Sequence, residues 1–241
     1  MDYTPVMPHG DLAEVFPDVF FVTGTSRPTF LGQAWQFSRN MVVVRTGESL
    51  TLLNTVRLDD AGLARLDALG RMTQVVRLGA FHGMDDAFYL DRSGARYIGL
   101  EGEPPAGARA ADAVLRDGGE GPLPGSVVFR FATSAVPEAV LLLPQNGGVL
   151  ISCDALQNWA EVDPFFDAAS AEKMRAFGFI EPANIGPGWR QAASPARADF
   201  DRLLRLPFDH LLPAHGTPIV GGARERIAST VDRLFPPVSP A

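Results

Sequence analysis

The apolar residues of this chain fall into short β-type runs separated by turn residues and capped helical stretches, and that alternation restricts it to layers of sheet and helix. Val19 to Thr23, Met41 to Arg45 and Ser49 to Asn54 are rich in Val, Leu, Phe and Thr, with Gly47 among the turns, which predicts an antiparallel meander. At Asp59-Asp60 the period changes. Acidic N-cap residues precede Leu63, Leu66 and Leu69 at helical spacing and Gly70 supplies a stop, so a helix is expected, followed by a strand over Thr73 to Leu78.

The second half is also β-rich. Val127 to Ala132, Ala139 to Leu143 and Gly148 to Cys153 read as three consecutive strands, with turns at Pro137 and Asn146-Gly147-Gly148. Between the halves, Glu101 to Gly125 is dense in Gly, Pro, Ala and charge and is expected on the surface, with one very short strand around Ala113 to Leu115. Each half is short of helices to cover its strands, so one domain over residues 1–241 fits better than two. A helix is expected around Ala168 to Phe177, then an ordered but adaptable loop over Pro182 to Trp189. Ser194 as cap and Pro195 at the first helical position predict a further helix with Phe200, Leu203 and Leu204 on its apolar face. His210 to Pro213 reads as a short strand, and Ala223 to Phe235 as a closing helix ended by Pro236-Pro237.

Charge and cysteine usage narrow the partners. The net charge is −7, and the 20 Arg and the single Lys173 are spread along the chain, so neither nucleic acid nor an anionic membrane surface is an expected partner. Aliphatic runs such as Ala139 to Leu143 fall far short of the roughly 20 residues that cross a bilayer. Cys153 is the only cysteine, which excludes an intrachain disulfide and any CxxC motif. Met1 to Val15 carries Asp2, Asp11 and Glu14 and lacks the basic and apolar regions of a signal peptide, so a cytoplasmic protein is expected.

Four histidines can be weighed singly. His9, flanked by proline in the N-terminal tail, is expected on the surface, and His210 stands apart as a surface or supporting residue. His82 and His215 each follow a strand and precede Gly, and Asp154 closes the run Gly148 to Cys153 in the same way. Imidazole nitrogen and carboxylate oxygen are ligand types for zinc, iron or manganese, and loops at one sheet edge are where sites are built.

Those strand ends carry a resemblance. Leu150-Ile151-Ser152-Cys153-Asp154-Ala155-Leu156 resembles the strand and Gly-Asp-Ala-Leu motif of the metallo-β-lactamase superfamily, and Leu212-Pro213-Ala214-His215-Gly216-Thr217-Pro218 resembles its terminal Gly-His-Gly-x-Pro motif. The strand, helix, strand and His82 loop occupy the place of its His-x-His-x-Asp-His signature, and Arg39 to Asn54 is similar to an uncharacterised branch whose metal motif is degraded. The resemblance implies a four-layer αββα sandwich of two mixed sheets flanked by helices.

It also implies a reduced metal site. One register puts Ala80, His82, Met84 and Asp85 on the signature; another, two residues later, puts His82 first and Asp86 on the signature Asp. Either way at least two ligands are missing, no His lies between His82 and His210, and Asn54-Thr55-Val56 replaces the family's Asp-x-Gly. The surviving candidates are His82, Asp85 or Asp86, Asp154 and His215. Two imidazoles and two carboxylates would be neutralised by one divalent cation, whereas an empty site needs a proton or an Arg partner. The expectation is at most one divalent metal (zinc, iron or manganese) or none. The function is then that of a mononuclear hydrolase-like protein, or alternatively of a metal-free pseudoenzyme using the same cleft. The dinuclear hydrolysis of β-lactams, thioesters or phosphodiesters is not expected.

A small-molecule ligand is the expected partner, with Phe81, Phe88, Tyr89, Trp159, Phe165, Phe166 and Trp189 as candidates for its wall. Part of Ala155 to Trp189 is expected over the cleft, and Cys153 is expected to be small buried filler.

Overall fold

A computed structural model of the protein describes residues 3–30, 32–102, 106 and 109–236. Asp2, residues 103–105 and 107–108 of the surface connection, and Pro237 lie outside the described residues.

The first sheet runs in the order β1 (Ala13–Phe16), β2 (Val19–Ser26), β5 (Phe37–Thr46), β6 (Ser49–Leu53), β7 (Arg71–Val76), β8 (Arg96–Gly99) and β9 (Ala113–Val114). A small hairpin, β3 (Thr29–Phe30) and β4 (Gln33–Ala34), interrupts it. From β1 to β6 the pairing is antiparallel, because Gly47-Glu48 closes the β5–β6 hairpin in two residues. From β6 onward it is parallel. A parallel pair needs a crossover, which α1 (Asp60–Leu69) supplies between β6 and β7 and α2 (Asp86–Ser93) between β7 and β8. Asp59 caps α1 by accepting from Gly62 N at 2.8 Å. The Asp59 amide in turn donates to His9 Nε2 at 2.9 Å, so the N-terminal tail is pinned here and His9 is a largely buried structural residue rather than a surface one.

The second sheet is β10 (Val127–Arg130), β11 (Ala139–Leu143), β12 (Val149–Ile151) and β15 (His210–Leu212). Its first three strands are antiparallel and β15 joins β12 in parallel. The connection from β12 to β15 holds the paired strands β13 (Leu156–Gln157) and β14 (Asn184–Ile185) with α3 (Ala168–Ala176), α4 (Pro187–Ala193) and α5 (Arg197–Leu203), and α6 (Ala223–Leu234) follows β15.

Side-chain alternation explains the layering. Val42 and Val44 of β5 meet Leu141 and Leu143 of β11 and Val149 and Ile151 of β12 in a core between the sheets. Met41 and Val43 point the other way, onto Leu66 of α1 and Tyr89 of α2. Val140, Leu142 and Leu150 face Trp189 of α4, Phe200 of α5 and Ile227 of α6. The order is therefore helix, sheet, sheet, helix, the expected αββα sandwich. Strands covered on both faces read as continuous apolar runs, and each buried Leu or Val contributes about 1.5–3 kcal/mol.

Three local expectations are corrected. Ser194 does not start a helix; it ends α4 in the left-handed region at φ 46°, and α5 begins at Arg197 after Ala196. The rule that Pro opens a helix applies instead to Pro187, so the end of the anticipated loop Pro182 to Trp189 is the first turn of α4. The short elements α2 and β8 were not anticipated. Among the described residues no helix is long and apolar enough to cross a membrane.

Candidate functional site

Three chain segments bring His82, Asp154 and His215 together where β7, β12 and β15 end. His82 Nε2 lies 3.3 Å from Asp154 Oδ2 and 3.0 Å from His215 Nε2, and His215 Nε2 lies 3.2 Å from Asp154 Oδ1. The sheets are tied at this edge. Asn54 Nδ2 donates to Ser152 O, and Asn40 Nδ2 donates to Pro213 O and Gly216 O. Gly216 is required for the turn after His215. Its φ is 85°, and a Cβ there would stand 2.0 Å from the Asn158 carbonyl oxygen. Gly216→Ala is therefore expected to lower stability by about 1–3 kcal/mol, and an unchanged urea midpoint would contradict this account of the turn.

The protons can be placed. His215 Nδ1 faces Ser38 O at 3.1 Å, and since a carbonyl only accepts, Nδ1 carries the hydrogen and a neutral His215 presents a bare Nε2 lone pair to the cluster. Burial pushes the His82 imidazole down to about 4 against the pull of Asp154. Asp154 is held at about 2: burial acts to raise it, but His82 and His215 lower it by more. Near neutrality His82 is neutral and the Asp154 carboxylate is ionised, the states in which they can ligate a metal. His82 Nε2 carries at most one hydrogen for the two acceptors it meets, and the Cys153 thiol donates to Asp154 Oδ2 at 3.5 Å.

The structure does not bring Asp85 or Asp86 into this cluster, and the reading that counted one of them with it is corrected. Asp85 is paired with Arg39 and accepts from Arg57 N at 2.7 Å, and Asp86 accepts from Arg77 Nε at 2.8 Å and Thr55 Oγ1 at 2.6 Å. Buried carboxylates are held this way because an arginine repays much of their desolvation. Cys153, read as filler, does pack in the inter-sheet core, but its Sγ is also 3.5 Å from Asp154 Oδ2 and falls in one ligand-type group with His82 and Asp154. Its adjacency to Asp154 at a strand end was the available signal. Arg39 was legible too, since an arginine inside a buried apolar strand implies a carboxylate partner.

Above the cluster opens a cleft of about 540 Å³. The segment Ala155 to Trp189 supplies much of it, including Gln157, Trp159, Met174, Phe177, Phe179 and Trp189. Phe81, Trp159 and Trp189 line it as anticipated; Phe88, Tyr89, Phe165 and Phe166 do not. Trp159 stacks 4.6 Å from the His215 ring and donates to Ser38 Oγ at 2.7 Å, which fixes both sides of that imidazole.

No protein-family model matches the sequence, and no curated protein matches it. Solved structures do. The chain superposes on the metallo-β-lactamase FIM-1 from Pseudomonas aeruginosa in its mono-zinc form with a TM-score of 0.62 at 15% identity, covering 96% of this chain and 98% of that one. This is the metallo-β-lactamase fold. A metallo-β-lactamase from Hirschia baltica gives a TM-score of 0.60 at 18% identity over 95% and 99% of the two chains, and VMB-1 gives 0.66 at 11% over 96% and 99%. Within the metallo-β-lactamase fold of this chain, both histidines and the aspartate stand at strand ends on one edge, and that edge is the mouth of the cleft.

Proposed function

We propose that the cleft is a hydrolase-like site holding one divalent metal on His82, Asp154 and His215. The observation that carries this reading is the convergence of the two imidazole Nε2 atoms, 3.0 Å apart, on the Asp154 carboxylate, with one oxygen 3.3 Å from His82 and the other 3.2 Å from His215. A tetrahedral ion with bonds of about 2.0–2.1 Å spaces its ligand atoms about 3.3 Å apart, so the donor set suits zinc, and iron or manganese share these ligand types. The Ser38 carbonyl supports the reading further, because ligating histidines commonly donate their second ring N–H to such a group. A bound metal would supply Lewis-acid polarisation of a carbonyl or phosphoryl oxygen and would acidify water. The protein's own contribution is to hold the His215 imidazole in one tautomer through the Ser38 carbonyl and to line the open side of the site with aromatic rings.

Protein purified without chelator should carry about one metal per chain, lost in His82→Ala and His215→Ala, with no appreciable turnover of β-lactam, thioester or phosphodiester substrates under added zinc or manganese. Turnover of any of these that disappears in folded His82→Ala would contradict the mononuclear reading. A second reading, a metal-free pseudoenzyme binding ligands in the same cleft, is favoured by one observation: Arg39 and Arg77 already neutralise Asp85 and Asp86. Metal far below one per chain would support it.

A further inference from the structure

The cleft has a polar floor and an apolar wall, and ring contacts order the wall from the floor outward. Phe37, which opens β5, and Trp159 lie 5.9 and 4.6 Å from the His215 ring centre. Phe179 stands behind Trp159 at 6.2 Å. Trp35, just after β4, meets Phe177, just after α3, at 5.9 Å, so the small hairpin and the end of α3 make one surface. All of these side chains line the cleft, together with Phe81 and Met84 from the loop after β7. Phe81, Met84 and Phe177 keep 50%, 43% and 63% of their surface open, so large apolar side chains from two separate segments are exposed around one cleft. Apolar surface gathered in this way marks a place where another apolar body is covered.

The floor sets the charge of that body. Arg39 lines the cleft, but Asp85 balances it. A divalent ion on His82, Asp154 and His215 is offset by the single carboxylate of Asp154, because ligating imidazoles are neutral, and one positive charge remains. Three protein ligands also leave the fourth position of a tetrahedral ion open. A monoanion placed there is desolvated together with its counter-charge, whereas a sugar or nucleotide would exchange its hydration for a wall of rings. We infer that the cleft takes an amphiphilic monocarboxylate, its carboxylate at the floor and its hydrocarbon body along the rings to Phe177. This deepens the proposed function by naming its ligand class, and rests on that reading for the positive charge at the floor.

Intrinsic fluorescence reads this cleft directly, because all three tryptophans of the chain line it. The probes are hexanoate, octanoate and decanoate below micelle-forming concentrations, with octan-1-ol as the neutral head group, titrated in the presence of one equivalent of zinc. Affinity should rise about two- to fourfold for each added methylene. Octanoate should bind about tenfold more tightly than octan-1-ol. Phe177→Ala, at an exposed position, should weaken decanoate about three- to tenfold and leave hexanoate within about twofold. Circular dichroism checks folding, and Phe177→Gln replaces Phe177→Ala if the latter does not fold. Absence of saturable decanoate binding, no gain with chain length, octan-1-ol at or above octanoate, or equal weakening of hexanoate and decanoate in Phe177→Ala would overturn the inference. Equilibrium dialysis of zinc, run alongside, separates the two proposals. About one zinc per chain with no gain along the carboxylate series sinks this inference alone; the gain and the octanoate preference without bound zinc sink the metal site alone.

Discussion

Replacing Arg77 with Met is expected to cost about 3–5 kcal/mol of folding stability, a large part of what holds a domain of this size together. Arg77 and Asp86 are 3% and 0% exposed at their side chains, and the guanidinium also donates to Gly83 O at 3.3 Å and lies 5.5 Å from the Tyr97 ring centre. Without it, the Asp86 carboxylate keeps only the Thr55 hydroxyl and sits as an uncompensated charge under α2. The double variant Arg77→Met with Asp86→Leu removes the stranded charge together with its partner and should recover most of the loss. Urea unfolding near neutral pH measures all of these. A loss below about 1 kcal/mol for Arg77→Met would show that Asp86 is not held as an ion in the folded protein, and would reopen its candidacy as a metal ligand.

The second large effect is on acid stability. Chelator-treated protein is expected to lose about 3 kcal/mol of stability between pH 6.5 and about 4, through His82 alone. The sign follows from proton counting. Unfolded His82 takes up a proton as pH falls through 6.5, but the folded imidazole, kept dry beneath the cleft, resists until about 4, so the unfolded state is favoured throughout that window. Asp154, also lowered, adds its own loss further down, between 3.8 and about 2. Other groups titrate as well, so the check is the difference between wild type and His82→Gln in unfolding midpoint across this range. Parallel curves would contradict a buried neutral His82. Metal binding should steepen the acid loss, since protons then compete with the ion for the same nitrogen atoms.

Much of the architecture was legible because burial on both faces leaves a plain mark. The runs at Met41 to Arg45 and Ala139 to Leu143 are continuous rather than alternating, as strands between two layers must be. The site was legible where it depends on strand ends, and His82, Asp154 and His215 meet as the motifs implied. What the sequence hid was pairing at long range. Asp85 and Asp86 look alike next to His82, and nothing local reveals that Arg39, 46 residues away, claims the first and Arg77 the second. The same holds for His9, whose role depends on α1 passing beside the tail. Ser194-Pro195 misled for a different reason: a Ser before Pro suits a helix start, but here α4 already occupied the preceding turns and Ser194 closes it.

The central claim is that His82, Asp154 and His215 form one metal site while Asp85 and Asp86 serve the fold. Anomalous diffraction at the zinc edge, from crystals grown with zinc and without chelator, tests it most directly. The account predicts a single peak at the cleft floor within bonding distance of His82 Nε2, His215 Nε2 and the Asp154 carboxylate, with the Arg39–Asp85 and Arg77–Asp86 pairs intact. No peak there, or a peak bonded to Asp85 or Asp86 with its arginine displaced, would contradict it.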